Sequence, residues 1–218
     1  MDIEIKVIPT GPLQVNTVIV KNPERKELFL VDPGGDEALL LEEIGDFQLV
    51  EIVHTHGHFD HIWGTHAILE SREPGQEKIP LSLHQADQFL WSNMAMQASG
   101  FGIDLECTLP DTDIELTDGQ EREIAGVKIT FLHTPGHSPG SVCLYLKEQS
   151  LLICGDLIFQ SSIGRTDLWG GNFDQLIDSI KTKVLTLPPQ TRIIPGHGPE
   201  TTVAREIEQN PFLSSEEI

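Results

Sequence analysis

Residues 52–64 read IVHTHGHFDHIWG and place four of the chain's nine histidines, with one aspartate, at the end of an apolar run. Imidazoles are seldom crowded together for packing, because each buried ring brings two nitrogens that need partners. A polar loop that happens to be rich in histidine is the plain alternative. His56 and His58 are two apart, so both reach one point only where the backbone turns, and Gly57 permits a turn. Asp60 and His61 follow at once, at the mouth of the next helix. Two nitrogen ligands and an N/O pair this close together suit two metal ions side by side. Four side chains do not complete two coordination spheres, so more must come from elsewhere.

Three later loops offer them. HTPGHSPGS (133–141) carries His137 in a Pro/Gly-fixed loop after a strand-like run. LLICGDLIF puts Asp156 just past a hydrophobic strand, an odd place for a lone carboxylate. IIPGHG (193–198) repeats the device with His197. Each polar residue follows an apolar strand, so all four loops can converge on one edge of the sheets, where rigid scaffolds place functional groups.

The elements that must position them are legible in outline. IEIKVIP, VNTVIVK and ELFLVD are β-branched and aliphatic runs punctuated by TGP, NPER and DPGG. Residues 36–44 have helical spacing with Asp36 as N-cap. QLVEIVH is a strand that ends at the histidine cluster, and HIWGTHAILES is a helix leaving it. IPLSLH is a short strand and HQADQFLWSNMAMQ a helix with Asp87 and Gln88 on its polar side; residues 99–113 are an irregular loop. IELTDGQEREIAGVKITFLHT reads as strand, turn, strand. SVCLYL and LLICGDLIF are two more strands, NFDQLIDSIKTKVLTL an amphipathic helix, RIIPGHG a strand, and ETTVAREIEQN a last helix. Each half runs strands first and helices after, which predicts two packed sheets with helices outside, an α/β four-layer sandwich. With no linker rich in Pro, Gly or Ser, residues 1–218 are expected to form one domain.

Composition narrows the function. The chain has 218 residues, is 39% apolar and carries a formal net charge of −20. With only 14 Lys and Arg, it is a poor match for nucleic acid or an anionic membrane, which need basic groups. A small-molecule substrate is expected instead; the oligomeric state is left open. Cys107, Cys143 and Cys154 have no C-x-x-C spacing and read as small buried thiols in a reducing compartment. The N-terminus MDIEIKVIPT is no signal peptide, and no apolar stretch approaches the ~20 residues of a membrane helix, so a cytoplasmic location is expected.

The series H-x-H-x-D-H, a His in TPGHSPGS, an Asp in CGD and a His in PGHG resembles the metallo-β-lactamase superfamily, over nearly the whole chain. The resemblance implies the αββα sandwich and a dinuclear site. One metal would be held by His56, His58 and His137, and the other by Asp60, His61 and His197, with Asp156 bridging. Zinc is the expected ion, iron and manganese the alternatives. Within the superfamily, SSIGRTDLWGGN (161–172) makes the chain similar to the glyoxalase II (hydroxyacylglutathione hydrolase) group in its short bacterial form. Only 21 residues follow His197, so the C-terminal helical domain that contacts glutathione in the longer enzymes is expected to be missing.

The activity so implied is hydrolysis of thioesters such as S-lactoylglutathione. A dinuclear site lowers the pKa of a water from about 15.7 to about 7, so attack on the carbonyl needs no Ser or Cys nucleophile, and no G-x-S-x-G elbow is present. Asp60 and Asp156 are then the catalytic carboxylates, Asp60 as both ligand and candidate proton acceptor. Persulfide dioxygenases share a similar G-R-T-D, and one iron on His56, His137 and Asp156 would serve that chemistry. Hydrolysis of another ester or lactone is a further alternative, whereas the charge argues against a nuclease. Arg165 and Asp167 are expected to pair and shape a substrate loop that also carries Trp169. His54 is expected to orient neighbours, and His66, His84 and His133 to make structural hydrogen bonds.

Overall fold

Strands whose two faces are both covered read as near-continuous hydrophobic runs, and that is the pattern here. The computed structural model describes residues 2–72, 77–105 and 107–213. A first six-stranded sheet is ordered β1 (Glu4–Thr10), β2 (Val15–Asn22), β3 (Glu27–Val31), β4 (Gln48–Val53), β5 (Leu81–Leu83) and β6 (Ile114–Glu115). β1 to β3 are antiparallel and β3 to β6 parallel. The second sheet comprises β7 (Glu121–Ile124), β8 (Val127–His133), β9 (Val142–Leu146) and β10 (Leu151–Gly155). After a small hairpin, β11 (Ile158–Phe159) and β12 (Ser162–Ile163), come β13 (Arg192–Pro195) and β14 (Thr201–Thr202). These last two complete the second sheet, in the order β14-β13-β10-β9-β8-β7.

Side chains alternate along each strand, which sorts them into three layers of core. Val18, Val20, Phe29 and Val31 meet Phe131, Leu144, Leu151 and Ile153 between the two sheets. On the outer face of the first sheet, Ile19, Leu28, Leu30 and Ile52 pack under α1 (Glu37–Ile44), α2 (Phe59–Glu70), α3 (Gln88–Ser92) and α4 (Met94–Gly100). On the outer face of the second, Cys143, Leu152, Cys154 and Ile193 pack under α5 (Phe173–Ser179) and α6 (Val203–Gln209). The layers are therefore αββα, as the patterning predicts.

Several local expectations are corrected. Asp36 precedes α1 but does not cap it through its side chain; it sits at φ 51°, and its carboxylate accepts from the Gly11 N–H at 2.8 Å. The helix expected across 84–97 is broken: a 3₁₀ turn (Gln85–Asp87) leads into α3, and Asn93, at φ −115°, separates α3 from α4. Asp87 is buried rather than on a polar face. Residues 99 and 100 still belong to α4, and the helix opened by Phe173 widens into a π turn over Ile180–Val184. Cys143 and Cys154 are buried free thiols as expected, and Cys107 is half-buried.

Candidate metal centre

The topology explains why dispersed residues meet. β8 and β10 are each antiparallel to β9, and β13 is parallel to β10. The C-terminal ends of β8, β10 and β13 therefore open on one edge, and they deliver His137, Asp156 and His197. Two backbone bonds stitch the other sheet to that edge: Val142 N–H donates to Thr55 O (2.8 Å) and Asn16 N–H to Gly196 O (2.7 Å). β4 leads into residues 54–58, and α2 starts at Phe59, so Asp60 and His61 lie in its first turn. Gly57 is needed for space rather than for an unusual backbone angle: a Cβ there would meet Asp87 O and Leu90 Cβ, both at 2.9 Å. Gly196 is tighter still, since its Cβ would sit 2.1 Å from Asp156 Oδ1.

Donor atoms of His56, His58 and His137 lie within 4.8 Å of one another, and so do those of Asp60, His61 and His197. Asp156 stands between the two groups. Its Oδ2 is 3.6 Å from His137 Nε2 and 3.7 Å from His197 Nε2, and its Oδ1 is 3.4 Å from His61 Nε2. Asp60 Oδ2 is 3.3 Å from His197 Nε2. All seven expected residues are thus brought together.

Four of the rings are oriented from behind. The Nδ1 atoms of His137 and His197 face the carbonyl oxygens of Arg165 (2.8 Å) and Leu13 (3.0 Å). His61 Nδ1 faces the Asp32 carboxylate at 2.9 Å. Thr55 gives its hydroxyl hydrogen to Asp32 (2.5 Å), so its oxygen accepts from His56 Nδ1 at 3.0 Å. An acceptor behind each Nδ1 puts the proton there and turns the Nε2 lone pair inward, which is how ligating histidines are commonly braced. His56 Nε2, His61 Nε2 and Asp156 Oδ1 are buried with no hydrogen-bond partner. His58 Nδ1 lies 2.8 Å from His137 Nε2, and nitrogens and carboxylate oxygens crowded this closely, several of them without a hydrogen-bond partner, fit a cation.

The electrostatics agree. Burial, then the neighbouring His61 and His58, keep His56 well below the usual imidazole value. Burial and His137 push His58 down to about 3. Both are neutral, as ligands must be. Burial also opposes charge on His61, but Asp156, Asp60 and Asp32 outweigh it and raise the ring well above its ordinary value. Burial would raise Asp156, yet His61, His137 and His197 hold it well below the carboxylate range. The centre favours positive charge beside its carboxylates.

His54 is not part of it. Its Nδ1 faces Ser82 O (3.2 Å) and its Nε2 faces Thr65 Oγ1 (2.8 Å), so both nitrogens are occupied. His84 and His133 stack on each other, with ring centroids 4.1 Å apart. Arg165 and Asp167 pair through two bonds of 2.7 and 2.8 Å, and Trp169 stands half exposed nearby. Two carboxylates escaped the sequence reading. Asp32, buried at the end of β3, accepts from Thr55 and braces His61. Asp87 accepts from Gly57 N–H (2.9 Å), Ser138 Oγ (2.6 Å) and Gly140 N–H (2.6 Å), tying the His56–His58 loop to the His137 loop. A buried Asp ending an apolar strand, the device of Asp156, was the available signal for Asp32. The centre opens into a cavity of about 440 Å³ bounded by Leu13, Phe59, Phe101, Phe159 and Leu168.

Comparison with known proteins points the same way. The family described as Metallo-beta-lactamase superfamily matches residues 10–197. A probable metallo-hydrolase, YqgX of Bacillus subtilis, is 41% identical over 209 residues, 95% of this chain and 96% of the relative. The hydroxyacylglutathione hydrolase GloC of Haemophilus influenzae is 35% identical over 214 residues, 97% of this chain and 98% of the relative. Among solved structures, the BLEG-1 B3 metallo-beta-lactamase is 38% identical with a TM-score of 0.86, covering 97% of this chain and 100% of that one. TTHA1623 in a di-iron-bound form is 35% identical with a TM-score of 0.84, covering 95% and 100%.

Proposed function

Because this chain belongs to the metallo-beta-lactamase superfamily, as a metal-dependent hydrolase, we propose that its reaction is thioester hydrolysis at a pair of divalent ions. The observation that carries the two-ion reading is Asp156, set between one group of His56, His58 and His137 and another of Asp60, His61 and His197. The mononuclear dioxygenase reading leaves that second group without a task. The thioester reading is supported by the likeness to GloC. Zinc is the proposed ion; the di-iron form of TTHA1623 makes iron its rival.

Bound ions supply Lewis acidity, polarising a carbonyl and bringing a water's pKa from about 15.7 toward 7. The chain's own residues do the rest. Asp156 fixes the spacing of the two ligand groups. Asp60, kept anionic against its burial by His61 and His197, is placed to hold the water and accept its proton. Phe59, Phe159 and Leu168 line the mouth with apolar surface, so a substrate that fills it displaces water and strengthens the charge interactions inside.

Glutathione is held loosely in this proposal. Among the described residues Arg165 is the only Lys or Arg lining the mouth, and it is paired with Asp167. Losing one or two charge-assisted contacts of about 1.5–3 kcal/mol each raises KM by tens- to a hundredfold or more. The test is kinetics of the metal-loaded protein with S-lactoylglutathione, a β-lactam and glutathione persulfide. Chelator-sensitive thioester turnover with a high KM is expected. β-Lactam turnover without thioester turnover, or oxygen uptake with the persulfide, would overturn the reading.

A further inference from the structure

Beside the mouth lies a second cavity of about 370 Å³, and the two share His58, Gln97, Phe101, Arg165 and Leu168 as walls. We propose that this cavity seats an uncharged hydrocarbon arm of the substrate, so that the chain selects thioesters bearing alkyl or aryl groups over those of glutathione, a tripeptide with two carboxylates. The proposal rests on the thioester reading above and names the substrate class it implies.

Three observations carry it. First, the wall is largely apolar: Leu90, Met96, Phe101, Leu168 and Trp169 provide it, and Arg165, already paired, is its one Lys or Arg among the described residues. Of the two other polar groups, Gln97 spends its amide hydrogens on Gly57 O (3.0 Å) and Leu90 O (2.7 Å), and His58 Nδ1 faces His137 Nε2 at 2.8 Å. The Arg165 charge is already countered by Asp167, so an anionic substrate gains little here, whereas a hydrocarbon loses little by entering. Second, these side chains remain in water: Met96 is 58% exposed, Phe101 47% and Trp169 51%. Large apolar side chains gathered in the open mark a surface awaiting a partner, and covering them recovers about 25 cal/mol per Å². The occupant is named by continuity: His58 lines both cavities, so whatever enters the second is joined to a group at the ligand cluster.

Third, the cavity is already formed. The Trp169 loop is pinned where the Arg165 carbonyl meets His137 Nδ1 (2.8 Å) and where Gly164 N–H donates to Leu157 O (3.1 Å). A Cβ on Gly170 would meet Pro139 Cγ at 2.5 Å, so the loop sits hard against the His137 loop. Across the cavity, the Phe101 ring rests 5.2 Å from that of Phe59. Walls fixed before binding keep the ordering cost low. The volume lies within the range of small-molecule pockets.

The test uses metal-loaded protein and two substrate series. In one the acyl group lengthens from acetyl to hexanoyl on a single thiol; in the other the thiol lengthens from ethyl to hexyl on acetyl. One series should gain about two- to fourfold in kcat/KM per methylene, and the series that does so identifies which side of the carbonyl enters the cavity. Trp169→Ala and Phe101→Ala, both at half-exposed positions, should flatten that slope. Calorimetric affinities of straight-chain carboxylates and thiols give a readout independent of turnover. Thioester turnover with flat slopes and flat affinities overturns the cavity assignment and leaves the thioester reading intact. Affinities that rise with length and lose the rise in Trp169→Ala, without thioester turnover, uphold the cavity and overturn the thioester reading. Chain-length-independent self-association abolished by Trp169→Ala would instead make the patch an interface between copies.

Discussion

On one rim of the mouth, His56, His61 and Asp156 have their donor atoms buried, and Thr55 and Asp32 brace the two rings from behind. On the other rim, Phe101 and Trp169 stand about half exposed, fixed by their backbones and by van der Waals contact. The first rim must place lone pairs to within tenths of an ångström, so its side chains are locked by hydrogen bonds. The second needs only apolar area, which is not directional, and tolerates looseness. Substitutions on the first rim should therefore act almost as switches, and those on the second as graded changes in selectivity.

The largest effect is expected for Asp156→Ala, which removes the group shared by both ligand sets. Transition-state stabilisation of several kcal/mol depends on the ions, so turnover should fall on the order of a thousandfold, with metal content falling too. His54→Ala, one step back from the centre, should cost far less of either, and equal losses in the two variants would erase the contrast. Asp32→Ala comes next. It leaves His61 unbraced and the Thr55 hydroxyl without its acceptor, and metal affinity measured against a competing chelator should drop about 10–100-fold. An unchanged affinity would mean that packing alone orients His61.

Arg165→Ala should be mild. His137 is held by the Arg165 carbonyl rather than by its guanidinium, and an ion pair as exposed as that with Asp167 adds little to stability. A thermal midpoint several degrees lower would show that the pair sets the loop. Smallest is the pH response of His84, away from both rims. Burial and His133 push it down to about 4, whereas an unfolded histidine titrates near 6.5. The unfolded chain takes the proton first, so the stability in question is intact above about pH 6.5 and is lost as pH falls toward 4. Comparing His84→Asn with the parent between pH 7 and 4.5 should show a shallower decline, by less than about 1 kcal/mol given its partial exposure. Parallel curves would remove His84 from the account.

The candidate ligands were legible in the sequence because their chemistry contradicts their surroundings. His56, His58, Asp60 and His61 are consecutive in one short loop and helix turn, and His137, Asp156 and His197 each interrupt an apolar strand end. The sandwich was legible too, since strands covered on both faces are apolar throughout. What stayed hidden depends on long-range contact. Asp32 lies within DPGG, which reads as turn punctuation, and only the fold brings His61 behind it. Asp87 has helical neighbours with a polar look, yet its carboxylate collects donors from two distant loops. Gly57 reads as a turn former, while its real constraint is the space left by Asp87 and Leu90. The apolar cavity draws on α4, Phe101 and the 164–171 loop together, so no single window of sequence displays it. Among the described residues no helix is long and apolar enough to cross a membrane.

Metal stoichiometry tests the central claim most directly, because the account stands on two ligand groups meeting at Asp156. Elemental analysis of the fully loaded chain, repeated on His197→Ala, should give two ions per chain in the first and about one in the second. One ion in both would contradict it, leaving Asp60, His61 and His197 without an ion to hold.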